Sequence, residues 1–184
     1  MDARPSPESV LVLPGYADSG PEHWQTLWER RHGYVRVEQA DWLEPECAAW
    51  TSTLEQAVRV APAPVVLVAH SLGCILVAHW ARQGAVERVR GALLVAPPDV
   101  DEAQHMLPEV ASFAPVPLEP LPFRTIVVAS TTDPYVDAAR VREMAEAWRA
   151  RLVEVGDAGH LNAESNLGDW PAGHRLLTEL LATS

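Results

Sequence analysis

The chain has 184 residues, 48% of them hydrophobic and 21% charged, and a net charge of −11. That length suits a single globular domain over 1–184 with a core that needs no disulfide or metal staple. The excess of acid sets up a field that repels nucleic acid and anionic membrane surfaces, and no apolar run approaches the roughly 20 residues that cross a bilayer.

The N-terminal MDARPSPESV lacks the apolar stretch of a secretion signal. Cys47 and Cys74 are too few for a disulfide framework and fit a reducing compartment. A cytoplasmic location is therefore expected.

In chain order, six short apolar segments read as strands: Val10–Leu13, Val35–Glu38, Val65–Ala69, Ala92–Ala96, Thr125–Ala129 and Leu152–Val155. Their length of about five residues and β-branched content separate them from helices. Helical patterns alternate with them. PEHWQTLWERRHG puts Pro21 in a first turn, Trp24 and Trp28 on one face, and Gly33 at its end. ECAAWTSTLEQAV, LGCILVAHWARQG, VDAARVREMAEAWRARL and WPAGHRLLTELLA follow. Strands alternating with helices, the central strands almost wholly apolar, predict an α/β fold: a six-stranded parallel sheet covered by helices on both faces. One connection breaks the rhythm. Pro97–Phe123 runs 27 residues with seven prolines, which fits either a surface excursion with one short helix or a loop that serves a binding site.

The junction VVLVAHSLGCILVAHWA places Ser71 where an apolar strand gives way to a helix. Ala69-His70-Ser71-Leu72-Gly73 is close to G-x-S-x-G, the sharp strand-to-helix turn that presents a nucleophilic serine. Ala69 departs from the strict pattern by one methyl. Ser71 also suits a plain helix cap, so the partners decide between the two roles. Downstream, TIVVAS runs into TTDPYVD and LVEV into GDAGHLN. Ser71, Asp133 and His160 thus each follow a different strand at one sheet edge, in the order of an α/β-hydrolase triad. Asp137 reads as a helix-start residue and Asp157 as a residue that shapes the His160 loop. His79 and His174 read as structural, His70 is expected to point away from Ser71, and Cys74 reads as core filler.

Acyl transfer also needs two backbone N–H groups aimed at the developing oxyanion. Leu72, next to the nucleophile, offers one. Tyr16 offers the other, since Pro14 has no N–H and Gly15 permits a sharp turn, although Pro14-Gly15 also fits an ordinary turn. His23, Trp24 and Tyr135 are candidates for touching substrate, although Trp24 and Trp28, at i and i+4 on one helix face, also read as core residues, and Met106, Leu107 and Phe113 are candidates for an apolar wall. No metal-ligand spacing stands out, and no cofactor is called for.

LPGYADSGPEHWQTLWE, VAHSLGCILVAHWA, LLVAPPD, VASTTDPYV and GDAGHLNAESNLGDWP, taken together, resemble the small serine-hydrolase family of α/β hydrolases, which includes YdeN-like proteins and retinoblastoma-binding protein 9. The resemblance runs from about Val10 to Leu181. It implies a reduced α/β-hydrolase fold without a large cap domain, and a triad on Ser71, Asp133 and His160. The expected activity is hydrolysis of an ester or related small-molecule acyl substrate. An amidase or aminopeptidase would share this machinery, and a non-catalytic peptide- or protein-binding module would share the fold.

Overall fold

The computed structural model describes residues 6–102 and 107–182. Six parallel strands form one sheet in the order β2-β1-β3-β4-β5-β6. They are β1 (Val10–Leu13), β2 (Val35–Arg36), β3 (Val65–His70), β4 (Val89–Val95), β5 (Arg124–Ala129) and β6 (Arg151–Glu154). Between and after them lie α1 (Trp24–His32), α2 (Cys47–Val60), α3 (Leu72–Trp80), α4 (Ala138–Ala147) and α5 (Pro171–Leu181). This is the α/β-hydrolase arrangement, with no large cap among the described residues.

The strands are apolar throughout because the sheet is buried on both sides, and residue parity sorts their side chains. Leu11, Leu13, Leu67, Ala69, Leu94 and Val127 pack with α2, α3 and α4, while Val10, Val66, Val68, Leu93 and Val128 pack with α1 and α5. Five tryptophans, Trp24, Trp28, Trp50, Trp80 and Trp148, are among the largest fully buried side chains. Among the described residues, no helix is long and apolar enough to cross a membrane.

Several boundaries differ from the sequence reading. Helix α1 begins at Trp24, not at Pro21, because His23 is its N-cap and accepts the Gln25 N–H through Nδ1 at 3.2 Å. Strand β2 shrinks to two residues at the sheet margin, and β4 starts earlier, at Val89. Helix α4 stops at Ala147, since Arg149 turns to φ 55° and the chain enters β6 at Arg151. Trp148 is held there by its indole N–H, which donates to the Pro117 carbonyl at 2.7 Å.

The chain runs outward from β1 to β2 and returns on the other side of β1 as β3. In open α/β sheets such a reversal leaves a crevice at the carboxyl ends of the strands. The loop after β1 and the turn after β3 meet there. An ideal Cβ on Gly73 would lie 2.5 Å from the Leu13 carbonyl oxygen and 3.0 Å from that of Pro14, so only glycine lets α3 start this close to β1. Gly73→Ala is expected to lower the urea unfolding midpoint even though alanine is the better helix former. Gly20→Ala, where a Cβ meets nothing within 4 Å, should leave the midpoint almost unchanged.

Candidate active site

Ser71 adopts φ 53° and ψ −126°, a left-handed turn that non-glycine residues enter only at a cost. Its N–H donates to the Val95 carbonyl at 2.9 Å, and its carbonyl accepts the Cys74 N–H at 2.8 Å. One bond ties the turn to β4 and the other opens α3. Ala69 is fully buried on the α2/α3 side of the sheet, so its extra methyl is accommodated. The Ser71 hydroxyl makes no capping bond.

That hydroxyl instead lies 2.8 Å from His160 Nε2, while His160 Nδ1 lies 2.9 and 3.0 Å from the two Asp133 carboxylate oxygens. A carboxylate only accepts, so Nδ1 carries the proton and Nε2 is free to accept from the serine. The Asp133 side chain is only 1% exposed, and its Oδ1 also accepts the Tyr135 N–H at 2.9 Å. The ring of Tyr135 stands edge-on to His160 at 4.6 Å.

The His160 loop is held by short polar side chains. Ser130 Oγ accepts the Ala158 N–H at 3.0 Å and donates to the Gly156 carbonyl at 3.1 Å. Thr132 Oγ1 accepts from Gly159 N–H at 3.1 Å and donates to Asp157 at 2.7 Å. Asp157 therefore shapes this loop, as the sequence suggests. Asp137 sits at the N-cap of α4.

Two residues take roles other than those expected. Trp24 is 1% exposed and does not line the site cavity; it lies in the core beneath α1. Its indole N–H donates to the Leu161 carbonyl at 2.8 Å, anchoring the segment that carries His160. His70 does point away from the serine hydroxyl but not out of the site. Its Nε2–H donates to the His160 carbonyl at 2.9 Å, and its ring lies 5.0 Å from that of His160. Strand parity carries the signal for this, since His70 follows Val66 and Val68 onto the α1/α5 face. Gln25 was also missed. It is fully buried, and its amide donates to the Leu13 and Val68 carbonyls at 3.2 and 3.1 Å, bridging β1 and β3 beside the crevice.

A cavity of about 190 Å³ opens over Ser71. Tyr16, Leu72 and His23 line it, Pro98, Val100, Leu107 and Val110 from the long connection form an apolar wall, and Tyr135 stands at its edge. An ideal Cβ on Gly15 would fall 2.8 Å from Ser71 Cβ and 3.1 Å from the Leu72 nitrogen, which brings the Gly15-Tyr16 segment against the elbow. The connection contains a short 3-10 helix, Pro108–Phe113, and thus combines a surface excursion with a cavity wall. Phe113 is not part of that wall; it is fully buried, edge-on to Trp50 at 5.5 Å. Met106 lies outside the described residues. The wall is fixed to the Asp133 loop by Arg140, which pairs with Asp101 at 2.5 Å and Glu143 at 2.7 Å and lies 3.4 Å from Asp99, whose N–H donates to the Tyr135 carbonyl at 2.9 Å. A larger open cleft of about 840 Å³, lined by α2 and the end of α3, contains none of these groups.

Burial sets the ionisation of the groups behind the serine. It holds His23, with help from the Arg36 and His160 charges, at a pKa of about 3. It pushes His70 well below its ordinary value, His160 and His23 adding to the effect. Both rings therefore stay neutral. Burial likewise drives the Cys74 thiol well up, and its S–H donates to the Val95 carbonyl at 3.3 Å, consistent with a core residue. His79 and His174 are structural: the first bonds the Phe113 carbonyl at 2.8 Å, the second the Tyr34 hydroxyl at 2.9 Å.

A six-stranded parallel sheet bearing a serine elbow at the end of β3 defines an α/β hydrolase. The model of the serine hydrolase family matches residues 10–179, and the chain belongs to that family. Among solved structures, a YdeN-like protein from Pectobacterium atrosepticum is 33% identical, with a TM-score of 0.81 over 94% of this chain and 89% of that one. The YdeN gene product from B. subtilis shares the fold at 22% identity, with a TM-score of 0.78 over 95% and 98% of the two chains. A thermophilic esterase from Thermogutta terrifontis does so at 17% identity and a TM-score of 0.64, over 94% and 90%. No curated protein matches the sequence.

The neutral histidines make stability fall in acid. The unfolded chain takes up a proton on each near the ordinary histidine value of 6.5, whereas folded His23 does so only near 3. Between those values the unfolded state binds more protons, so stability is full above about 6.5 and is lost as pH drops. From pH 7 to pH 5, His23 alone removes about 2 kcal/mol, and His70 acts in the same direction. Urea unfolding of wild type and His23→Asn at the two pH values is expected to show a smaller acid loss in the variant.

Proposed function

We propose that the protein is a carboxylesterase-like serine hydrolase acting on a small acyl substrate in the cytoplasm, with Ser71 as nucleophile, His160 as general base and acid, and Asp133 as the group that orients His160. The observation that carries this reading is the unbroken hydrogen-bond chain from the Ser71 hydroxyl through His160 to a buried carboxylate, built on a strained turn. A helix cap needs neither partner.

In the proposed reaction His160 Nε2 takes the Ser71 proton as the serine oxygen attacks the ester carbonyl. The N–H groups of Leu72 and Tyr16 receive the developing oxyanion, and the N-terminus of α3 favours the negative charge. Collapse expels the alcohol, which takes the proton back from His160 and leaves an acyl-Ser71 ester. Water then gives a proton to His160 and attacks the acyl group, and Ser71 departs with that proton, releasing the acid. Asp133 keeps Nδ1 protonated and stabilises the imidazolium without taking the proton. His23 and Tyr135 are the side chains proposed to meet substrate. The cavity of about 190 Å³ lies below the size of sites for drug-sized ligands and supports short acyl groups.

Hydrolysis of p-nitrophenyl esters tests this. Wild type is expected to cleave the acetate and butyrate far better than the decanoate. Ser71→Ala, His160→Ala and Asp133→Asn should each reduce kcat/KM by about 10⁴-fold or more while remaining folded. Unchanged turnover in Ser71→Ala would rule the mechanism out.

A further inference from the structure

Several polar side chains line the cavity over Ser71, and one of them, His23, has a buried ring nitrogen that neither the acyl-transfer steps nor the fold engages. His23 is only 4% exposed, and its Nε2 has no hydrogen-bond partner among the described residues. Its other ring nitrogen is committed: Nδ1 accepts the Gln25 N–H as the cap of α1. In a neutral imidazole the nitrogen that accepts is the one without a proton, so Nε2 carries the hydrogen. The ring lies against His70, at 4.7 Å between centroids, and lines the same cavity as Ser71 and Leu72. A buried donor left unpaired is costly, and a native structure that carries one calls for a reason.

We infer that His23 Nε2–H is a specificity determinant that donates to an oxygen within the acyl chain of the substrate, so that the preferred substrates are esters of short oxygenated acids (alkoxy-, hydroxy- or oxoacyl groups) and not of plain alkyl acids. The inference rests on the acyl-enzyme reading above. The cavity matches such a chain on its other side too. The side chains of Pro98, Val100, Leu107 and Val110 offer only carbon, so one flank of the acyl group is apolar, while Tyr16, Tyr135, Asn162 and His23 supply polar groups elsewhere on the lining. Of these four, His23 is the one with a buried atom left without a partner. The donor is neutral, since burial keeps His23 from ionising above a pH of about 3. A neutral ring beside His160 adds no positive charge to oppose the imidazolium that forms there. It also offers no ion pair to a carboxylate, and Arg36, whose charge reaches it, is already paired with Asp18 at 2.7 Å and Glu29 at 2.8 Å. The selected oxygen is therefore uncharged. A site with a buried donor rejects an analogue that leaves the donor unpaired more strongly than a purely apolar pocket rejects a change of shape.

Two matched pairs of p-nitrophenyl esters place oxygen at different depths: methoxyacetate against butyrate, and 4-oxopentanoate against 4-methylpentanoate. For each pair the ratio of kcat/KM values, oxygenated over alkyl, is divided by the same ratio for alkaline hydrolysis without enzyme, which removes intrinsic reactivity. In wild type the corrected ratio is expected to reach about fivefold or more for at least one pair. His23→Asn keeps a capping acceptor near the Nδ1 position but removes the Nε2 donor, and should bring that ratio close to one. His23→Gln restores a donor near Nε2 and should recover part of it. Corrected ratios near one in wild type for both pairs would overturn the inference and leave Nε2 to a bound water. An equal loss on every ester in His23→Asn would also overturn it, assigning the donor to the reacting carbonyl. Ser71→Ala is run alongside: loss of all turnover there with flat ratios refutes only the role of His23, whereas retained turnover refutes the acyl-enzyme reading itself.

Discussion

At Ser71 the backbone passes from β3 into α3 through φ 53° and ψ −126°, a conformation that costs on the order of 1–3 kcal/mol and persists only where its surroundings hold it. Here the surroundings are specific. The Val95 carbonyl on β4 takes the Ser71 N–H, Gly73 lets α3 sit against the Leu13 and Pro14 carbonyls, and Gly15 lets the loop after β1 press on Ser71 itself. The strain is thus borne by the two strands that flank β3, β4 on one side and β1 with its following loop on the other. The same contacts aim the hydroxyl at His160 and bring the Leu72 and Tyr16 segments together. Releasing any one of them would let the serine relax towards an ordinary cap.

The second support is the packing of histidine on histidine. His70, one residue before the serine, bonds the backbone of His160 from the α1/α5 face of the sheet, and His23 packs against His70. Because burial keeps both neutral, they fix His160 without competing for its proton. Trp24 and the Ser130 and Thr132 hydroxyls hold the rest of that loop. On the other side, Arg140 and Asp99 connect the Asp133 loop to the wall of the cavity. The long connection that forms the wall therefore belongs to the site mechanically as well as spatially.

What the sequence made legible follows from the range of each signal. Strand runs, the elbow and the order of Ser71, Asp133 and His160 are local patterns attached to strand ends, and the parallel topology then puts all three at one edge. The fold and the residues that meet there could be read from that. Trp24 and Trp28 fit the core or the site by pattern, because helical spacing says which residues share a face but not which way the face points, and the structure turns Trp24 to the core. Phe113 went to the core because the 3-10 turn around it directs it at Trp50, a contact far away in sequence. Gln25 and Arg140 act through partners on other elements, and nothing near them in the chain announces it. His70 points away from Ser71 as the sequence suggests, and its bond to the His160 carbonyl was recoverable too, since alternation along β3 assigns its face.

In the proposed mechanism the strained turn and its two partners activate Ser71 as a nucleophile. Reaction with a fluorophosphonate, followed by mass-spectrometric mapping of the modified peptide, tests that claim without requiring the physiological substrate. Rapid, stoichiometric phosphonylation of Ser71 is expected in wild type, with severely slowed labelling in a folded His160→Ala variant. Absence of labelling in folded wild-type protein, or labelling at Ser71 that is equally fast without His160, would contradict that mechanism.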